Sequence, residues 1–157
     1  MKTRELQAIW WDWLGTSERL LRSLHEQTAA LTLRDVERVE RIQPELDSMV
    51  ARMQEIDATA ATCAKELAET MGTEAHVRGL VRVLEKAEAQ QVQSIANRVM
   101  VAARHVEQVM AKNRRLIENE MNYINGTVTL LAKSSQSKQG KFSQAPNRAA
   151  VLIDHAA

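Results

Sequence analysis

The stretch LRDVERVERIQPELDSMVARMQEIDATAATCAKELAETM, residues 33–71, decides the fold. Val36, Val39, Ile42, Leu46, Met49, Met53, Ile56, Ala60, Cys63, Leu67 and Met71 recur at intervals of three and four, which places them on one face of a long helix. The period of two that marks a half-buried strand is absent. Pro44 removes one backbone donor, yet the apolar phase is the same on both sides of it, so the spacing predicts a kink within one helix over 33–71. Gly72 follows as a C-terminal stop, and Thr73 with Glu74 opens the next segment.

The same spacing extends in both directions. Upstream, Leu6, Ile9, Trp10, Trp13, Leu14, Leu20, Leu21, Leu24 and Leu31 form one face and predict a helix over about 3–31. Thr32 and Asp35 have the spacing of a capping box and place a tight turn there. Downstream, Val77, Leu80, Leu84, Val92, Ile95, Val99, Val106, Val109, Ile117, Met121, Ile124, Val128 and Leu131 predict a third helix over 74–132, with Asn125-Gly126 as its weak point. After Lys133 the sequence SSQSKQGKFSQAPNR is polar and aperiodic, so residues 134–157 are expected to be a flexible tail. The last residues, AAVLIDHAA, carry Val151, Leu152 and Ile153, too little for a helix that stands alone.

Short connections make consecutive helices antiparallel neighbours. The expected fold is therefore all-α: an elongated antiparallel three-helix coiled-coil bundle over residues 1–133 with a long third helix. Beside a second helix of about 38 residues, the third is used up near residue 111, and about 20 residues, or some 30 Å, extend past it. That extension holds Leu116, Ile117, Met121, Ile124, Val128 and Leu131. An exposed apolar stripe of this length implies folding back, self-association or a partner.

Composition agrees and excludes much else. A chain of 157 residues makes one domain. Aromatics are only 3%, with five Gly and two Pro, which leaves too little strand and turn vocabulary for a sandwich or barrel. The net charge of +1 gives no field to gather nucleic acid or an anionic membrane. Lys112, Arg114 and Arg115 are followed at once by Glu118 and Glu120, with no aromatic between them, and read as a solvated face. No run approaches the roughly 20 apolar residues that span a bilayer, and Glu5, Gln7 and Asp12 interrupt any signal-peptide core. A cytoplasmic protein is expected.

The residues three before His25, His76, His105 and His155 are Arg22, Thr73, Ala102 and Leu152, so the Glu-x-x-His spacing of metal-carrying bundles fails at every histidine. Gly15, Gly72, Gly79, Gly126 and Gly140 are too scattered for a phosphate loop. No Gly-x-Ser-x-Gly elbow occurs, and Cys63 lacks a sequence partner and falls on an apolar face. The chain is not expected to be an enzyme or to carry a cofactor or metal. Trp10 and Trp13 share a face and are expected to plug the bundle, with Trp11 pointing about 100° away.

The stretch NRRLIENEMNYINGTVTLL, Asn113 to Leu131, resembles the C-terminal helix of flagellar type III export chaperones of the FlgN family. Length and helical organisation are similar as well. The chain departs from the family pattern at Pro44, and at Ser134-Ser135-Gln136 where members tend to carry Tyr-Gly. The resemblance implies a cytoplasmic chaperone that binds the hook-filament junction (hook-associated) proteins and delivers them to the cytoplasmic domain of the flagellar export gate without nucleotide. It also implies that the client is held by the C-terminal region. The expected partner-binding residues are Asn113, Leu116, Ile117, Met121, Tyr123, Ile124, Val128 and Leu131, with Tyr123, the single tyrosine, implicated at the gate. The competing expectation is a scaffolding coiled coil that homodimerises through its C-terminal helix.

Overall fold

A computed structural model describes residues 2–138. They form four helices, α1 (Arg4–Thr32), α2 (Val36–Met71), α3 (Val77–Val83) and α4 (Lys86–Lys138), with no strand among the described residues. The chain divides into two compact units, Met1–Asn113 and Arg114–Ala157. The first holds α1, α2, α3 and α4 as far as Asn113.

The expected helix over 33–71 is continuous through Pro44. The missing Pro44 N–H leaves the carbonyl of Glu40 without its helical donor, and both residues lie on the exposed face, where water serves instead. The turn at 32–35 differs in detail from the capping box. Asp35 alone caps α2, its Oδ1 accepting from the Arg38 N–H at 3.2 Å. The Thr32 hydroxyl turns back and donates to the Thr28 carbonyl.

Two helix ends close in the same way. After α1, the Arg34 N–H donates to the Leu31 carbonyl and the Asp35 N–H to that of Ala30. After α2, the Gly72 N–H donates to Glu69 and the Thr73 N–H to Ala68. This paired pattern needs a left-handed residue at its corner, supplied by Arg34 at φ 55° and Gly72 at φ 65°. Gly72 adopts it without steric penalty; an L side chain such as that of Arg34 carries about 1 kcal/mol of strain there.

The third helix expected over 74–132 is two helices. His76 caps α3, its Nδ1 accepting from the Gly79 N–H at 2.9 Å, and the Thr73 hydroxyl donates to the Gly79 carbonyl. A Cβ on Gly79 would meet the Glu74 carbonyl oxygen at 2.6 Å, so the turn closes only over a glycine. Leu84 is extended, with ψ 155°, and ends α3. Past it, α4 runs without a stop through Asn125-Gly126 to Lys138. Residues 134–138 of the expected tail are thus helical, and residues 139–157 lie outside the described residues.

The first unit is built around two apolar clusters. Trp13, Leu20, Leu24 and Ala30 of α1 meet Ile42, Leu46, Met53 and Ile56 of α2 and Val106 and Val109 of α4. A second cluster joins Leu6, Ala68 and Leu80, with Trp10, Cys63 and Leu67 packed around it. Trp11 is half exposed, and the Arg98 guanidinium lies 5.5 Å from its ring centroid. Cys63 is half buried; burial first, then the charges of Glu5 and Glu66, push its thiol up and leave little thiolate at neutral pH.

Thr3 is fully buried at the start of α1. Its N–H and hydroxyl both donate to Glu88 Oε1 in the first turn of α4, at 2.8 and 2.7 Å, and its hydroxyl accepts from Gln7. These two bonds to Thr3 hold the Glu88 carboxyl below its usual range. A carboxyl depressed in the folded state contributes stability that is present above its unfolded pKa and lost as pH falls through the folded one. Glu88→Gln is therefore expected to melt below the parent protein at pH 7. The gap should close as pH falls below about 4, which thermal denaturation across pH 2.5 to 7 would check.

Candidate functional site

The expected partner-binding residues fall into two settings. Asn113 is buried, with 2% of its surface exposed. Its Nδ2 donates to the Leu24 carbonyl at 2.9 Å and to Gln27 Oε1 at 2.8 Å, and its Oδ1 accepts from the Thr28 hydroxyl. Gln27 in turn donates to Gln43 at 3.3 Å, and Gln43 to Asp47 at 2.8 Å. One chain of amides thus joins α4, α1 and α2. Asn113 belongs to that interior network rather than to an open surface.

The other seven lie in the second unit, along α4. Ile117, Met121, Ile124 and Leu131 are exposed at 39%, 43%, 49% and 64%, while Leu116 and Val128 are half buried. At 100° per residue, Ile117, Met121, Ile124, Val128 and Leu131 fall within about 80° of arc. Leu116, Tyr123 and Leu130, seven residues apart, form a second row beside it, with Tyr123 at 56% and Leu130 at 69% exposure. Leu130 is an apolar surface residue the sequence reading omitted, although its spacing from Tyr123 marks the row. Together the rows give this helix an apolar half-face.

Among the described residues no group of three His, Cys, Asp or Glu side chains could hold a metal. No helix of the described residues is long and apolar enough to cross a membrane. What the site offers is area: a helix that presents apolar side chains at i, i+3, i+4 and i+7, the pattern by which amphipathic helices dock.

The family model described as FlgN protein matches residues 1–142, which takes in both compact units as far as the end of α4. The chain belongs to the FlgN family. It is thereby placed among chaperones of flagellar protein export, a class without known enzymatic activity. No curated protein and no solved structure matches the chain. The stretch Asn113 to Leu131 that carried the resemblance lies inside the FlgN match.

The setting of Asn113 has a measurable consequence. Removing its amide strands Gln27 Oε1, a buried acceptor worth about 1–3 kcal/mol when left unpaired, whereas the Leu24 carbonyl keeps the Thr28 hydroxyl as a donor. Asn113→Ala is expected to lower unfolding free energy by at least about 1 kcal/mol in urea titration. A surface contact would change it by no more than about 0.5 kcal/mol.

Proposed function

We propose that this member of the FlgN family is a cytoplasmic chaperone for the hook-filament junction proteins, holding them by the apolar half-face of α4 and handing them to the cytoplasmic domain of the export gate. The observation that carries this reading is the exposure of Ile117, Met121, Ile124 and Leu131 on a helix whose first compact unit already has its own core. The stripe is not needed to complete that core. Its burial by a client would be worth roughly 8–15 kcal/mol gross for five side chains, before ordering costs. That is ample for a complex that forms and later releases.

We infer, too, that α1, α2 and the first part of α4 run up, down and up as an antiparallel three-helix bundle. Asp12 pairs with Arg52 and Gln27 with Gln43, so positions rise in α1 as they fall in α2. Thr3 pairs with Glu88 and Thr28 with Asn113, so positions rise together in α1 and α4.

Replacing Ile117, Ile124 and Val128 together by Ser tests the client surface. Exposed substitutions such as those at Ile117 and Ile124 usually change stability by no more than about 0.5 kcal/mol each, and Val128 is half buried, so the melting temperature is expected to fall only slightly. Co-elution with a junction protein should disappear. A stable variant that still binds its client ends this reading; one that instead loses self-association by mass measurement supports the scaffolding dimer.

Tyr123 lies in the second row, about 100° around the helix from Ile124. Separate rows permit separate partners. Tyr123→Ala is expected to keep client binding in pull-downs while impairing capture by the isolated gate domain. Equal loss of both would merge the two surfaces into one.

A further inference from the structure

Two histidines meet across the first unit. His25 of α1 and His105 of α4 have ring centroids 5.9 Å apart, with the ring planes tilted by 56°. The Glu-x-x-His spacing of metal-carrying bundles runs along one helix and does not register a pair formed between two. We propose that His25 and His105 form a chelating site for one divalent transition-metal ion of the nickel, copper and zinc class, and that the bound ion ties α1 to α4.

The separation suits a chelate. A metal held about 2.0–2.1 Å from one nitrogen of each imidazole stands about 3.2 Å from each ring centroid. The two centroids are then about 4.5 Å apart when the ligands meet at a right angle, about 5.2 Å at the tetrahedral angle and about 6.4 Å when they are opposed. The observed 5.9 Å lies within that range, and small side-chain rotations reach the tighter geometries. Both histidines are exposed, so water completes the coordination. Among the described residues neither imidazole takes part in a hydrogen bond or ion pair, which leaves their nitrogens available to an ion.

The core fixes the backbone under both ligands. His25 follows Leu24 and His105 precedes Val106, and these two apolar neighbours are buried in the same cluster. The Asn113 amide of α4 also donates to the Leu24 carbonyl, one residue from His25. Binding therefore orders only two side chains, which keeps its entropic cost small. Imidazole nitrogen suits Ni²⁺, Cu²⁺ and Zn²⁺, whereas Mg²⁺ and Ca²⁺ take oxygen ligands. Two protein ligands are fewer than the four that close a structural zinc site. The bundle accordingly folds on its apolar clusters without the ion, and an ion bound only by the folded form stabilises it by mass action.

The experiment titrates the full chain, free of any added histidine tag, with NiCl₂ in calorimetry and in thermal melts. One Ni²⁺ per chain is expected. The melting temperature should rise by at least about 5 °C when free Ni²⁺ stands at about a hundred times its dissociation constant. His25→Ala and His105→Ala are each expected to weaken binding at least about tenfold, because loss of one ligand removes the intramolecular second bond. The double variant should lose no more than either single one. Since both positions are exposed, the variants should match the parent in circular dichroism without the ion, and His25→Gln and His105→Gln should reproduce the loss. His76→Asn, which keeps a capping side chain, should bind as the parent does, and MgCl₂ should have no effect. Absence of saturable Ni²⁺ binding overturns the proposal, as do single variants that keep the parent affinity. Losses that add in the double variant overturn it in favour of two separate ions, and an ion-dependent dimer by mass measurement overturns it in favour of a bridge between two copies.

Discussion

The first unit depends on where α4 sits along α1. Apolar faces with a spacing of three and four do not settle this alone: a slide by one heptad carries each apolar side chain onto the position of another, and buried area changes little. Polar groups inside the interface remove the ambiguity. Thr3 finds Glu88, and Thr28 finds Asn113, each pair separated by 85 positions. A slide of seven residues would part Asn113 from Gln27 and leave the buried Gln27 Oε1 without its donor, at a cost of about 1–3 kcal/mol. One register satisfies both ends, and the apolar clusters of Trp13, Leu20, Val106 and Val109 are assembled within it.

The connection through α3 makes that register attainable. The chain must leave Met71 and bring Glu88 to Thr3. A continuous helix from residue 74 would fix the path of every following residue. The extended Leu84 interrupts it and lets α4 take its own direction. Leu80, buried to 1%, ties α3 to Leu6 and Ala68, so the connector is anchored as well as bent. Gly79 permits the close approach to the Glu74 carbonyl, and His76 replaces the hydroxyl or carboxylate that more often caps a helix.

Much of this was legible in the amino-acid order. The apolar period identified α1 and α2 with ends within a few residues, Gly72 marked the end of α2, and Trp10, Trp13 and Trp11 divided as their spacing required. The break at Leu84 was not legible, because Leu84 is in phase with its neighbours and no Gly or Pro stands beside it; the interruption is accompanied by a long-range contact, Glu88 with Thr3, that local spacing does not reveal. Asn113 was placed among the partner-binding residues because it opens the stretch Asn113 to Leu131 that carried the resemblance. Its position, seven after Val106 and four after Val109, places it on the apolar face, where a lone amide is the signature of a register-setting interior contact. The stripe from Ile117 to Leu131 was legible because it continues the apolar period of α4.

That continuation is made of residues poorly suited to helix. Asn122, Tyr123, Ile124, Asn125, Gly126, Thr127, Val128 and Thr129 all rank low in intrinsic helix propensity, and Gly126 alone costs about 1 kcal/mol relative to Ala. The hydroxyls of Thr127 and Thr129 bond back to the carbonyls of Tyr123 and Asn125, a contact that slightly weakens a helix. A segment of this composition spends part of any binding energy on holding its own helical form. If the stripe is the client surface proposed above, this cost matters for release: cargo held by the full strength of a rigid apolar stripe would be slow to leave, and a helix too weak to give its full affinity suits the proposed task of handing a client on.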